Sequence, residues 1–150
     1  MDEELSTERL PDVADGRRPG LPARTEPAER DASPPDRAAL ELARRVVDLA
    51  ADKKAVDIVL LAVGALTTVA DYFVICSGGS ERQLTAIADG IVEGLKADGV
   101  RLVGREGGPG AHWLLLDFGA VITHVFAQPE REFYQLEKLW SEAPTLLRIQ

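Results

Sequence analysis

Few residues in this sequence have types and spacings that chemistry could use. Ser77-Gly78-Gly79-Ser80 falls between an apolar run and a helical pattern. Backbone N–H groups at a helix N-terminus often cradle phosphate in that position. The stretch lacks GxxxxGK[ST], and no lysine follows in the first helical turn to reach a phosphate. An apolar strand, a Gly-Ser turn and a helix also suit a nucleotidyltransferase, whose chemistry holds magnesium on clustered carboxylates. No Asp-x-Asp occurs, and Glu130 and Glu132, two apart in a helical pattern, point different ways. A helix cap with a flexible turn accounts better for Ser77 to Ser80.

A second constellation comes from two apolar runs, His112 to Phe118 and Val121 to Phe126, separated by only Gly119-Ala120. Antiparallel pairing across that turn places Trp113, Leu115 and Asp117 on one face with Ile122, His124 and Phe126. Asp117 and His124 become diagonal neighbours, and Cys76 or Ser77 as nucleophile would imitate a hydrolytic triad. Against this, Cys76 ends an apolar strand, as packed inert cysteines do, and there is no GxSxG elbow. Two histidines and one cysteine make a poor zinc set, so no metal or cofactor is expected. Trp113, Leu115 and Asp117 also read as an apolar strip ending in an acid. That is either core or a docking surface, and periodicity leaves the two about even.

The elements that must position these residues follow from pattern. Ala39, Leu42, Val46 and Leu49 recur at helical spacing from Arg37 onward. Val56 to Val63 and Tyr72 to Cys76 read as buried strands. Ser80 with Gln83 has capping-box spacing, and Leu84, Ile87, Ile91 and Leu95 form an apolar stripe that Gly99 ends. Val100 to Val103 reads as a short strand and Arg105 to Ala111, with three glycines and a proline, as a loop. After the hairpin, one helix is expected from Pro129 to Trp140, with Phe133, Leu136 and Trp140 along one side. The order αββαβββα predicts an α/β domain with a mixed five-stranded sheet flanked by helices.

Residues 1–36 differ in kind: six of the nine prolines, ten acids, five arginines and almost no large apolar side chains. Such a segment cannot offset its ordering entropy by burial, and it reads as a disordered, solubilising tail dispensable for folding. It carries much of the net charge of −8, leaving residues 37–150 with twelve bases against fifteen acids. That balance argues against sequence-independent nucleic-acid binding, which needs an excess of Lys and Arg. A protein partner fits better. The acidic N-terminus, the lone cysteine and the lack of a long apolar stretch predict a cytoplasmic protein without a membrane span.

Five blocks in order carry a resemblance: ADYFVICSGGSERQ (70–83), AIADGIVEGLK (86–96), REGG (105–108), HWLLLDFG (112–119) and HVFAQPEREFYQLEKLW (124–140). Over roughly residues 39–144 the chain resembles the ribosomal silencing factor (Iojap-like) family. The resemblance implies a nucleotidyltransferase-like fold without the catalytic carboxylates and a non-enzymatic role. It implies binding to ribosomal protein fourteen of the large ribosomal subunit, steric exclusion of the small subunit, and repression of translation when nutrients are scarce. It also implies a homodimer in the free state. The residues it assigns to partner binding are Trp113, Leu115, Asp117 and Phe118 in the strand, Glu106 in the Glu-Gly loop, and Arg131 and Tyr134 in the C-terminal helix. Two positions depart from the family pattern, Ala120 after the hairpin glycine and Ala62 in the first strand, each lacking an acid. A nucleotidyltransferase-like enzyme and a dimeric scaffold for another assembly are the alternatives.

Overall fold

The computed structural model describes residues 37–150; the reading of residues 1–36 as a disordered tail lies outside the described residues. The elements run α1 (Arg37–Asp52), β1 (Val56–Ala62), β2 (Tyr72–Gly78), α2 (Glu81–Ala97), β3 (Gly104–Glu106), β4 (Trp113–Asp117), β5 (Val121–Ala127), α3 (Gln128–Tyr134), α4 (Leu136–Leu139) and β6 (Thr145–Ile149). The mixed α/β class holds, but the sheet has six strands, not five, in the order β3-β4-β5-β2-β1-β6. β2 and β5 are parallel neighbours, and every other pair is antiparallel.

Alternation along the strands divides the sheet into two apolar faces. Ile58, Leu60, Val74, Leu114, Leu116 and Val125 lie under α1 and α2, which supply Val46, Val47, Leu84, Ile87, Ile91 and Leu95. The opposite face holds Val59, Leu61, Phe73, Ile75, Trp113, Leu115, Ile122 and Phe126. Its cover is slighter: Leu136, Ala143, Tyr134, Trp140 and Val69 pack against it, most of them from α3, α4 and the turn that follows.

The helix expected after Ser80 forms half of the capping box its spacing predicts, with the return bond from Gln83 reaching Gly79 and not Ser80. Ser80 Oγ accepts from Gln83 N at 3.1 Å, and Gln83 Oε1 accepts from Gly79 N at 2.7 Å. Gln83 Nε2 also donates to the carbonyls of Lys53 and Lys54, tying the start of α2 to the α1–β1 turn. The β4–β5 hairpin keeps the expected register, with Trp113 opposite Phe126, Leu115 opposite His124 and Asp117 opposite Ile122.

Three expectations are corrected. No strand forms over 100–103; this stretch carries the chain from the α2 cap to the sheet edge, where pairing with β4 begins at Gly104. β3 therefore lies partly inside the stretch read as a loop. The single helix expected over 129–140 is broken at Gln135, whose left-handed backbone (φ 47°, ψ 54°) ends α3 and starts α4. The break turns Leu136 onto the sheet while Phe133 stays 75% exposed, so the two do not share a buried side. Last, Thr145–Ile149 pairs with β1 as a sixth strand beyond the five expected.

Gly107 joins β3 to the loop before β4. Its φ is +97°, and a Cβ there would lie 2.7 Å from the Trp113 carbonyl oxygen and 2.7 Å from a Leu114 methyl. Replacing Gly107 with Ala adds left-handed strain to a clash with backbone, which together should cost roughly 2 kcal/mol or more. Thermal melting should report a lower Tm, and a Tm within a degree of the parent would contradict this account.

Candidate functional site

The parallel pair β2 and β5 ends in Gly78 and Ala127, and α2 and α3 leave the sheet close after them. In open α/β sheets the crevice beyond the carboxyl ends of parallel strands is the usual place for a ligand. Here Arg131, from α3, spans it. Its Nη1 donates to Ser77 Oγ at 2.7 Å and its Nη2 to the Asp57 carbonyl at 2.7 Å. Nε and Nη2 grip the Glu137 carboxylate in a fork at 3.0 and 2.8 Å. One guanidinium, 7% exposed, thereby joins β1, β2, α3 and α4. Asp57 sits at the bulge where β1 changes register on β2, and its φ of 51° brings its carbonyl into the fork. The hydrogen bonds from Arg131 hold the Glu137 carboxyl below its ordinary 4.5.

This arrangement does not assemble a triad. The Ser77 hydroxyl faces a guanidinium and not a base. Burial pushes the Cys76 thiol up to about 12, so it is not poised as a thiolate. Asp117 Oδ1 accepts from Gly119 N at 2.8 Å, closing its own hairpin turn. His124 Nδ1 accepts from the Trp113 indole N–H at 3.2 Å, which leaves the proton on Nε2. Burial, with the Arg131 charge adding to it, pushes that imidazole down to about 3, so it stays neutral. No group of three or more His, Cys, Asp or Glu among the described residues could hold a metal ion.

The partner-binding residues expected from the sequence are not brought onto one surface. Trp113, Leu115 and Asp117 are 1%, 2% and 5% exposed on the thinly covered face. Trp113 lies between Phe126 and Tyr134, each with its ring centroid 4.7 Å away. The even choice between core and docking thus falls to core for the Trp113 side chain itself, because α3 folds over it. Phe118 packs on the opposite face, in the cluster under α1 and α2. Arg131 is the buried fork. Tyr134 and Glu106 are half-buried and do reach the surface. Phe133, in edge-to-face contact with Tyr134 at 5.0 Å, is a large exposed aromatic beside Tyr134. The sequence pattern assigned it to the core side of a continuous helix, and the break at Gln135 was not legible.

His112, which the sequence pattern places at the start of a strand and in a poor zinc set, lies just before β4. Its Nε2 lies 2.9 Å from Glu81, the first residue of α2, and its Nδ1 3.1 Å from Glu130 in the first turn of α3. It bridges the two helix starts above the crevice.

The family model described as "Ribosomal silencing factor during starvation" matches residues 36–150. The chain belongs to the ribosomal silencing factor family. A relative from Halalkalibacterium halodurans, "Ribosomal silencing factor RsfS", is 43% identical over 107 residues, covering 71% of this chain and 89% of the relative. A crystal structure from Chromobacterium violaceum superposes with a TM-score of 0.67 at 33% identity, covering 69% of this chain and 86% of that one. The mouse protein "Mitochondrial assembly of ribosomal large subunit protein 1" is 37% identical over 99 residues, covering 64% of this chain and 43% of its own length. No helix among the described residues of this silencing-factor family member is long and apolar enough to cross a membrane.

Two predictions follow from the contacts of the site. Arg131→Met removes the fork and leaves the Ser77 hydroxyl, the Asp57 carbonyl and the Glu137 carboxylate without it; the expected loss is roughly 2–4 kcal/mol by denaturant unfolding. Pairing it with Glu137→Gln should recover part of that loss, and a single variant as stable as the parent would show that the fork is not structural.

The second concerns pH. The hydrogen bonds to Glu81 and then Glu130 raise the His112 pKa above its ordinary 6.5. A raised folded-state pKa contributes stability that is full below the unfolded value and lost as pH rises through the folded one. The Tm difference between parent and His112→Gln should therefore be largest near pH 6 and shrink as pH rises above the ordinary His value. A difference that does not change with pH would contradict the bridge.

Proposed function

We propose that this protein binds the large ribosomal subunit through ribosomal protein fourteen, blocks joining of the small subunit sterically, and so represses translation under nutrient limitation. Family membership supports the silencing role, and the mouse relative's name links that protein to the large subunit. We read the action as non-catalytic: Ser77 is bonded to Arg131, His124 Nδ1 to Trp113 and Asp117 Oδ1 to Gly119, so the three do not join into a relay. The protein works in the cytoplasm and is a homodimer when free of the ribosome.

The observation that carries the docking site is Phe133. A large aromatic 75% exposed, beside half-buried Tyr134 and with Glu130 and Glu132 just before it, has the makeup of an interface anchor with an acidic margin. Glu132, exposed on this face, complements a basic ribosomal surface, while Glu130 is engaged by His112. Trp113, Leu115 and Asp117 serve the same face from beneath, with the Trp113 ring tilted at 44° to that of Tyr134. Glu106, opposite Leu115 on β3, lies at the sheet edge of that face.

The test is sedimentation with purified large subunits. Phe133→Ala, at an exposed position, should keep its Tm and lose affinity by about tenfold or more, since an aromatic anchor carries ~2 kcal/mol. Trp113→Ala should instead cost stability, about 3–5 kcal/mol. A folded Phe133→Ala variant that sediments with subunits and blocks joining at parent concentrations would place the contact elsewhere.

A further inference from the structure

α3 carries Phe133 on a helix of seven residues with no side-chain cap, since Ala127 stands at its N-cap position. So short a helix is marginal alone and depends on what ties it down. Two cationic side chains do so. Arg131 anchors it to Ser77, Asp57 and Glu137, and a guanidinium keeps its charge at every working pH. His112 holds its first turn through Glu130 and holds the start of α2 through Glu81. The backbone beneath the ring is fixed, because the His112 carbonyl accepts from Ala127 N at 2.9 Å. Of the two ties, only this one can lose its proton near neutral pH.

Two ring nitrogens face two carboxylates, and only the imidazolium has an N–H for each. The neutral ring keeps one proton and turns a lone pair toward one of the acids. Burial decides which. Glu130 Oε1 is buried and accepts no hydrogen bond among the described residues, so that carboxylate relies on its Oε2 bond to the ring. The Glu81 side chain is 60% exposed and can turn to water. Loss of one proton therefore frees Glu81 and parts the start of α3 from that of α2. Glu81 from α2 and Glu130 from α3 are the charged groups set against the ring, and the loop before it, residues 107–111, has none. Beside Glu130, burial and then the Glu130 charge raise the Tyr134 hydroxyl above its ordinary 10. The chain's other histidine, His124, stays neutral. His112 alone among these groups changes charge near neutral pH.

We propose that the Glu81–His112–Glu130 bridge is a proton-operated latch on the docking face: with both ring nitrogens protonated it holds α3 and Phe133 in place, and with the ring neutral it opens and weakens binding to the large subunit. This rests on the reading of Phe133 as the anchor and adds its control. Hydrogen bonds to Glu81 and then Glu130 raise the ring above its ordinary 6.5, so the latch is closed below that value and opens as pH rises through the raised one. Sedimentation of the full chain with purified large subunits from about pH 6 to about pH 9, beside NMR of the free protein, tests it. The parent should lose about two- to fivefold in affinity across that range, because an exposed ion pair biases docking by no more than its own strength. His112→Gln cannot serve both acids and should bind weakly at both ends of the range. Glu81→Gln offers the neutral ring an amide N–H and should keep the parent's acid-end affinity at the alkaline end. Both positions are exposed, so the variants keep the core intact. In the free parent the Phe133 and Tyr134 ring signals should follow the His112 titration, and in Glu81→Gln they should shift less. Signals from α3 that ignore the titration overturn the latch. Signals that follow it, with an affinity slope that Glu81→Gln does not flatten, overturn its control of docking, while Phe133→Ala reports separately on the anchor.

Discussion

The buried guanidinium of Arg131 is the interaction on which the far end of this molecule depends. Moving an unpaired charge out of water costs several kcal/mol, and Arg131 offsets this with a forked carboxylate, a hydroxyl and a backbone carbonyl. Each partner comes from a different place in the chain, so satisfying one charge fixes the relative positions of β1, β2, α3 and α4. Two backbone irregularities serve the same end. The left-handed Asp57 aims its carbonyl at Nη2, and the left-handed Gln135 lets Glu137 return toward the helix it follows.

The two faces of the sheet are covered unequally. Long amphipathic helices, 16 and 17 residues, cover one face. The other rests on short α3 and α4 and an aromatic cluster in which Phe73, Trp113, His124, Phe126, Tyr134 and Trp140 meet edge-on or tilted, save for the stacked pair His124 and Phe126. Seven-residue α3 cannot bury all of its apolar side chains against the sheet, and Phe133 is left outside. The indole N–H of Trp113 finds the neutral His124 ring, which is how a histidine 2% exposed is kept in the same core.

Much of the fold was legible because its elements announce themselves locally. The stripe from Leu84 to Leu95 begins at a capping serine and ends at a glycine. The hairpin register follows from a two-residue turn and from period-two alternation, so Trp113, Leu115 and His124 were placed on one face correctly. The site was less legible. Trp113 alternates as either core or contact residue would, and only the segment folded over it separates the two. Phe118 follows Asp117 directly and so points to the other face, a consequence of the pleat that a motif-based assignment passes over. His112 gave no signal, since its two carboxylate partners lie 31 and 18 residues away.

Residue order by itself determined the α/β class, the start and end of α2, the hairpin, the absence of an Asp-x-Asp pair and the blocks that mark the family. All of these depend on neighbours within a turn or two, or on residue types in fixed order. Tertiary structure alone decided the break at Gln135, the pairing of Thr145–Ile149 with β1, and the burial of Trp113 and Arg131. A left-handed residue is tolerated only where later contacts reward it, and an edge strand forms only where another strand is already in place. Burial depends on what the remainder of the chain lays over a side chain, which no local pattern records.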